Sequence, residues 1–300
     1  MSKPVGGPAG RGMPESPPPP AEHRAALRQC VLAVSVLNDV DVLPTDDGFV
    51  LTDIPHTHVT FADIAAAIGN AAAASPTAQR RLLRWMRLRR AVAERSLDEL
   101  SEAVRPVGLP VGHELHPGPS WVRHPVLGGS LDVGFGFVGL FVDQPESVAV
   151  LPQSVLDAAE IDPSPWWRGA TEYLENMGAL ATSRWRREPG SPLRPMGDCD
   201  VITLLASALF RGALCANAGG LRAIAAPVRN RGWLDLSRID PAFALTAAAI
   251  SDDESRGFER PVLLTVDEVA MVPEGGRPAE IVLRDPVSDQ QRWLRDVLYH

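Results

Sequence analysis

The sequence predicts an α+β fold, with a helix-rich N-terminal part and a mixed or antiparallel sheet packed with helices in the C-terminal part. Helix-start signals are frequent before residue 105, where Ser75-Pro76 and the capping box of Ser96 and Glu99 each open a helix. Extended apolar runs lie later in the chain, at residues 130–142 and 261–272. Because strands alternate with helices only irregularly, a regular doubly wound sheet is disfavoured.

The sequence pattern divides the whole chain into four parts. Residues 1–20 are rich in proline and glycine and are expected to form a disordered tail. A helical lobe is predicted over 21–104, with helices at 21–37, at 61–68 after Thr60, and from Pro76 to about Arg95. The Pro- and Gly-rich segment 105–129 is expected to be an irregular connection. Residues 130–300 form the α+β lobe, predicted to make one globular unit with 21–104.

Composition restricts the class of protein. The formal net charge of −8 disfavours a nucleic-acid ligand, because such ligands need a positive surface. No apolar run is long enough to span a membrane, and residues 1–20 lack the apolar core of a signal peptide, so a cytoplasmic location is expected. Of the 29 basic residues only Lys3 is lysine, an arginine bias typical of a GC-rich, bacterial-like genome. Three cysteines without a CxxC pair predict reduced, buried thiols.

Two motif-like patterns have a simpler structural explanation. The GxGxxG string that begins at Gly134 runs on as a strand rather than into a helix, so its glycines are expected to admit close packing of a neighbouring chain. His113, His116 and His124 lack the HExxH spacing, and Pro117 prevents a helix from aligning them. They are interpreted as polar loop histidines, with a shared metal as the alternative.

A divalent metal is the cofactor that the sequence allows, at Asp198 and Asp200. Two carboxylates separated by one residue in a loop can share a divalent cation. Alternatively, one of them caps the helix that starts there. Cys199 lies between them at a position where a helix dipole lowers a thiol pKa, but no histidine is close in sequence to act as its base.

A second group of candidate ligand-binding residues lies around this segment. Guanidinium forks bind carboxylates and phosphates in bidentate fashion, and glycines beside several of these arginines favour turns that present them. The acidic pair within the apolar run 261–272 must place one carboxylate inward or at an edge, where it needs a partner. The predicted set is Arg194, Arg229, Arg231, Arg256, Asp267 and Glu268, with internal salt bridges between the arginines and the carboxylates of this region as the alternative.

These observations leave two functional hypotheses. The first is a non-enzymatic interaction or regulatory protein, which would contact a protein partner through the Pro-rich tail, the arginine-rich helix after Pro76, or an exposed tryptophan of the Trp166-Trp167 pair. The second is a metal-assisted enzyme or binding protein for a phosphorylated or carboxylated small molecule. The missing nucleophile–base motif favours the first hypothesis, and the charged loops between residues 194 and 268 favour the second.

Overall fold

A computed structural model describes the chain as two compact units, Met1–Met86 and Arg87–His300. The described residues are 20–52, 57–113, 115–117, 121–126, 129–140, 148–189, 192–216, 218–234, 247, 249, 255–259, 261–265 and 269–271. Helices and antiparallel sheets are both present and the N-terminal part is helix-rich, which confirms the α+β prediction. The Pro-rich tail up to residue 19 lies outside the described residues, as does the part of the predicted α+β lobe after residue 271.

The first unit combines helices with one small sheet. Its elements are α1 (Ala21–Asn38), β1 (Val42–Pro44), β2 (Gly48–Leu51), β3 (Thr57–Thr60), α2 (Phe61–Ile68) and the start of α3 (Pro76–Ala93). The strands pair antiparallel in the order β1-β2-β3. The core-facing side of α1 buries Leu27, Cys30, Val31 and Val34.

Local capping explains where these helices begin. Thr60 accepts a hydrogen bond from the backbone of Asp63, whose carboxylate bonds back to the amide of Thr60, so α2 starts with the capping box that satisfies two orphan donors. Ser75 caps α3 in a similar way, through the amide of Ala78. The end of α1 was predicted at residue 37, and the helix runs one residue further, to Asn38, before Asp39 takes a left-handed conformation.

The second unit contains the rest of the chain's elements. After the end of α3 come α4 (Leu97–Ala103), β4 (Val104–Pro110), β5 (Arg123–Val126), β6 (Leu131–Val138), β7 (Val148–Val150), α5 (Gln153–Ala158), α6 (Trp166–Arg187), α7 (Val201–Leu204), α8 (Ala208–Cys215), β8 (Arg222–Val228), β9 (Arg231–Trp233), β10 (Val262–Leu264) and β11 (Val269–Met271). One sheet has the order β4-β6-β5 with β7 also paired to β6, and a second has the order β11-β10-β8-β9. All strand pairs are antiparallel.

The segment 105–129 was expected to be an irregular connection, but it contains β4 and β5. The amide of Gly108 points away from β6 and donates to Thr203 Oγ1 at 2.9 Å. Pro106 and Pro110 are two residues to either side, so their missing N–H groups face the same outer edge. Proline is compatible with a strand at such an edge, and this register cannot be read from composition.

Helices in the middle of the second unit also differ from expectation. One helix was predicted after Asp198 or Asp200, but the structure has two short ones, α7 capped by Asp200 and α8 capped by Ser207. The core is built around them, because Val201, Ile202, Leu204 and Leu205 are all fully buried. None of the helices in the described part of the chain is long and apolar enough to cross a membrane.

Glycines allow neighbouring elements to approach closely, because they have no side chain at the contact. A Cβ on Gly134 would lie 2.2 Å from the Trp121 ring, and one on Gly136 would lie 2.3 Å from Val107 Cγ2. These distances confirm close packing at Gly134 and Gly136, whereas Gly139 has no atom within 4 Å of its Cβ position and a φ of +73°. On α6, a Cβ on Gly178 would lie 2.0 Å from Ser207 Oγ, whereas Gly169 on the same helix has no atom within 4 Å of that position.

The α6 glycines therefore give a matched pair of substitutions. Gly178→Ala displaces Ser207, whose hydroxyl caps α8, and should lower the free energy of unfolding by about 1–3 kcal/mol. Gly169→Ala fills open space on a helix and should raise it by about 0.5–1 kcal/mol. Urea denaturation measures both, and equal effects would contradict the close contact of α6 with α8.

Candidate functional site

The segment from Asp198 to Asp200 forms the most extensive polar contacts between the two sheets of the second unit. Asp198 Oδ2 accepts hydrogen bonds from Arg105 Nε in β4 at 2.6 Å and from the Tyr173 hydroxyl in α6 at 3.0 Å. The Tyr173 hydroxyl in turn accepts from the Asp198 amide at 3.1 Å, and the Arg105 guanidinium lies 4.8 Å from the Tyr173 ring centroid. Asp198 is therefore bound to both β4 and α6.

Asp200 makes the corresponding contacts to β8. Its Oδ1 accepts from the amide of Thr203 at 2.7 Å and so caps α7, while its Oδ2 accepts from Arg229 Nε at 2.5 Å. The Arg229 guanidinium also reaches the carbonyl of Gly108 in β4 at 3.4 Å. We call Arg105, Asp198, Asp200 and Arg229 the inter-sheet junction, because together they join β4, α7 and the end of β8.

The junction confirms that capping was the right structural role for Asp200. Asp198 and Asp200 each already accept a hydrogen bond from an arginine, so a metal would have to displace those contacts. Among the described residues, no group of three or more His, Cys, Asp or Glu side chains has a geometry that could hold a metal. The metal site at Asp198 and Asp200 stays a prediction, which a magnesium titration of the wild type and Asp198→Asn tests.

Cys199 is enclosed by the same segment. Its side chain is fully buried, and burial raises the pKa of the thiol to about 12, with the neighbouring carboxylates of Asp200 and Asp198 adding to the shift. A thiol with that pKa is almost entirely protonated at neutral pH, and only the thiolate is nucleophilic. The cysteine therefore packs in the core. Cys30 and Cys215 are also buried free thiols, as the sequence predicted.

The other predicted ligand-binding residues do not meet at the junction. Arg231 is exposed, and its guanidinium lies 5.4 Å from the ring centroid of Trp233. The backbone of Arg256 pairs with Val228, next to Arg229. Arg194 lies elsewhere, at the groove described below. Asp267 and Glu268 lie outside the described residues.

The three histidines have three separate environments, and His124 lies in β5 rather than in the predicted loop. His113 Nδ1 accepts from the amide of Leu115 at 3.1 Å, so its Nε2 carries the proton and donates to the carbonyl of Arg256 at 3.0 Å. His116 bonds to the buried carboxylate of Asp132 at 2.8 Å, which Arg123 also contacts. The ring of His124 packs on Trp167 with centroids 3.9 Å apart.

The tryptophan pair belongs to an aromatic cluster at the start of α6. Trp166 and Trp167 are both half-buried, with ring centroids 5.7 and 4.3 Å from that of Phe135. Trp166 Nε1 also donates to Ser101 Oγ at 2.9 Å. Both rings thus contribute to packing against β6, and neither is the freely exposed tryptophan that the interaction hypothesis considered.

A surface groove at the other end of α6 combines arginines with apolar side chains. We call it the arginine groove; it is lined by Ala181, Arg184, Trp185, Pro192, Leu193, Arg194 and Phe210. Arg184 donates to the carbonyl of Pro195 at 3.1 Å, which holds the segment after residue 191 against α6. The Arg222 guanidinium lies 5.7 Å from the Trp185 ring centroid, and its Nε is buried without a hydrogen-bond partner in the described part of the chain.

Sequence reasoning identified Arg194 but missed the rest of the groove. The signal was present in the string RWRREPGSPLR, residues 184–194, where four arginines and a tryptophan occur close together. Sequence reasoning also missed Arg105 and Tyr173, which bind Asp198 from positions far away in the chain. Only the fold brings those two residues to the carboxylate.

The junction predicts a large effect of removing one carboxylate. Asp200→Ala removes the α7 cap and leaves the Arg229 guanidinium without its partner, and should lower the free energy of unfolding by about 2–4 kcal/mol. Asp98→Ala, in the exposed first turn of α4, should cost less than about 1 kcal/mol. Chemical denaturation measures both variants, and a similar small loss in each would remove the structural role assigned to Asp200.

His113 predicts a pH dependence of stability. Burial lowers the pKa of His113 to about 4, an effect that the hydrogen bond to Arg256 offsets in part and the charge of Arg229 reinforces. The unfolded chain therefore takes up a proton near pH 6.5 that the folded chain does not, and stability falls as pH drops from about 6.5 to about 4. His113→Gln should remove this component from the pH profile of the unfolding free energy.

His23, which is exposed in α1, supplies the control for that profile. His23→Gln should keep the wild-type loss between pH 6.5 and 4, because it leaves the buried His113 in place. If His113→Gln has the same slope as the wild type, the histidine is not buried in its neutral form.

No protein-family model matches this chain, and no curated protein or solved structure is significantly similar to it. Its function is therefore inferred from the contacts, burial and charges of its own side chains.

Proposed function

We propose that this chain is a non-enzymatic interaction protein that binds an acidic segment of a partner protein in the arginine groove. The observation that carries the proposal is a concentration of positive charge without acidic partners. Arg184, Arg186, Arg187, Arg194 and Arg222 form no ion pair with any of the described residues. The whole chain nevertheless has an excess of acidic residues, 37 against 29 basic ones.

The lining of the groove favours a peptide over a free phosphate or a nucleic acid. Trp185, Leu193 and Phe210 line the groove together with Arg184 and Arg194, so it combines apolar side chains with guanidinium groups. Arginine forks bind carboxylates in bidentate fashion, and aromatic and arginine side chains are enriched where partner proteins bind most tightly. An extended segment with alternating acidic and apolar side chains matches this combination. The net charge of −8 opposes a polyanion, which would interact with the whole surface.

The enzyme hypothesis has less support from the same residues. The groups that it would use for chemistry already take part in the fold: Asp198 and Asp200 bind arginines, the Cys199 thiol is buried, and both ring nitrogens of His113 are hydrogen-bonded. Binding of an anionic small molecule at Arg194 remains the second candidate, because a carboxylated metabolite presents the same group to the groove.

A peptide-binding measurement tests the proposal. The probe is a fluorescein-labelled peptide that alternates Asp or Glu with Leu or Phe, and the readout is fluorescence anisotropy. Arg194 is exposed and has no ion-pair partner in the described part of the chain, so Arg194→Ala should leave folding intact. It should weaken binding about 5- to 30-fold, the value of one charge-assisted contact, and added salt should weaken binding further.

Arg168→Ala is the matched control. Arg168 is also exposed, but it lies at the start of α6, away from the groove, and pairs with Glu172 at 2.9 Å. This variant should bind the peptide as the wild type does. Equal loss in both variants, or none in Arg194→Ala, would contradict a site in the groove. Full competition by millimolar citrate with no preference for the apolar side chains of the peptide would favour the small-molecule candidate instead.

A further inference from the structure

One side of α1, in the first unit, faces solvent. Opposite its core-facing side, α1 exposes Ala25, Gln29, Leu32 and Val36. Leu32 is 41% exposed and Val36 is 83% exposed. The four positions are separated by four, three and four residues, which is the spacing of the a and d positions of a coiled coil. We call this stripe the α1 seam.

Two further exposed apolar side chains lie close to the seam in sequence. After α1 the chain turns back, and the Val40 amide bonds to the Ser35 carbonyl while Arg28 donates to the Thr45 carbonyl. The strand β1 therefore runs beside the second half of α1, in the opposite direction. Leu43 in that strand is 58% exposed and Leu37 is 72% exposed. Leu37 lies five residues after Leu32 and therefore on another side of α1. The seam itself presents Leu32 and Val36, and exposed large apolar side chains on one side of a helix mark a protein-binding surface.

We propose that the α1 seam binds the α1 seam of a second copy of this chain in antiparallel orientation. The two ends of the seam differ in charge: Arg24 and Arg28 outnumber Glu22 towards its start, and Asp39 and Asp41 follow its end. When two seams pack antiparallel around Leu32, Arg24 of each copy lies next to Asp39 and Asp41 of the other. A parallel pair would place like charges together, which costs free energy.

The geometry also fits the closed symmetry of a dimer. A twofold axis through Leu32 brings the same surface from both copies together, so that each contact is made twice. Two helices of 18 residues bury less area than a standard interface of about 1,600 Å², so the dimer should be weak. Its dissociation constant is expected in the micromolar range, on the order of 1–100 µM.

Sedimentation velocity of the full chain between about 1 and 200 µM tests the inference, because that range spans the expected dissociation constant. The wild type should pass from monomer to dimer. Val36→Glu, at a position too exposed to affect folding, should raise the dissociation constant at least about tenfold, because it places a carboxylate in the apolar seam. Leu97→Glu is the control: Leu97 is 61% exposed at the start of α4 in the other unit, and the dimer should persist.

A charge exchange tests the antiparallel orientation. Arg24→Asp should weaken the dimer, and Arg24→Asp combined with Asp41→Arg should restore it. A wild type that stays monomeric at every concentration overturns the inference, as does an assembly larger than a dimer. Equal weakening by Val36→Glu and Leu97→Glu would place the interface elsewhere, and a double variant no tighter than Arg24→Asp would rule out the antiparallel pairing.

Discussion

The ion pair of Asp200 with Arg229 is the contact on which the second unit depends most. One carboxylate caps α7, receives the guanidinium from the end of β8, and through that guanidinium reaches the carbonyl of Gly108 in β4. Gly108 makes this possible, because a Cβ there would lie 3.0 Å from Thr203 Cα. Both sheets therefore meet at a four-residue helix, and a change in any one of these groups alters the contact between the sheets.

The arginines of the second unit fall into two classes with different physical roles. Arg105, Arg123 and Arg229 are partly buried and paired with carboxylates, so their charges are neutralised within the fold. The arginines at the end of α6 and at Arg194 have no such partner among the described residues. An unpaired guanidinium beside apolar surface gains the most free energy from an incoming carboxylate. The arginines at the end of α6 and Arg194 are therefore expected to bind a partner, and the carboxylate-paired arginines to make the fold rigid.

Much of the fold could be predicted from local signals. The caps at Thr60 and Ser96 depend on neighbouring residues, and both were identified correctly. The strand β4 was missed because prolines disfavour strands on average, and their harmless position at an outer edge depends on pairing with β6. The arrangement of the candidate site was harder, since Arg105 meets Asp198 across 93 positions in sequence. Local spacing left the cap open between Asp198 and Asp200 and could not identify the arginine that pairs with Asp200.

Native-state hydrogen exchange of the amides in β6 and β8 tests the central claim most directly. These strands lie in different sheets, which share one apolar core, and the junction joins the sheets through the end of β8 and through β4, the neighbour of β6. In the wild type, their slowest amides should share one opening free energy, equal to that of global unfolding. In Arg229→Met, the opening free energies of the slowest amides in β6 and in β8 should differ by more than about 1 kcal/mol. Separate opening in the wild type, or joint opening that persists in the variant, would contradict the role assigned to the junction.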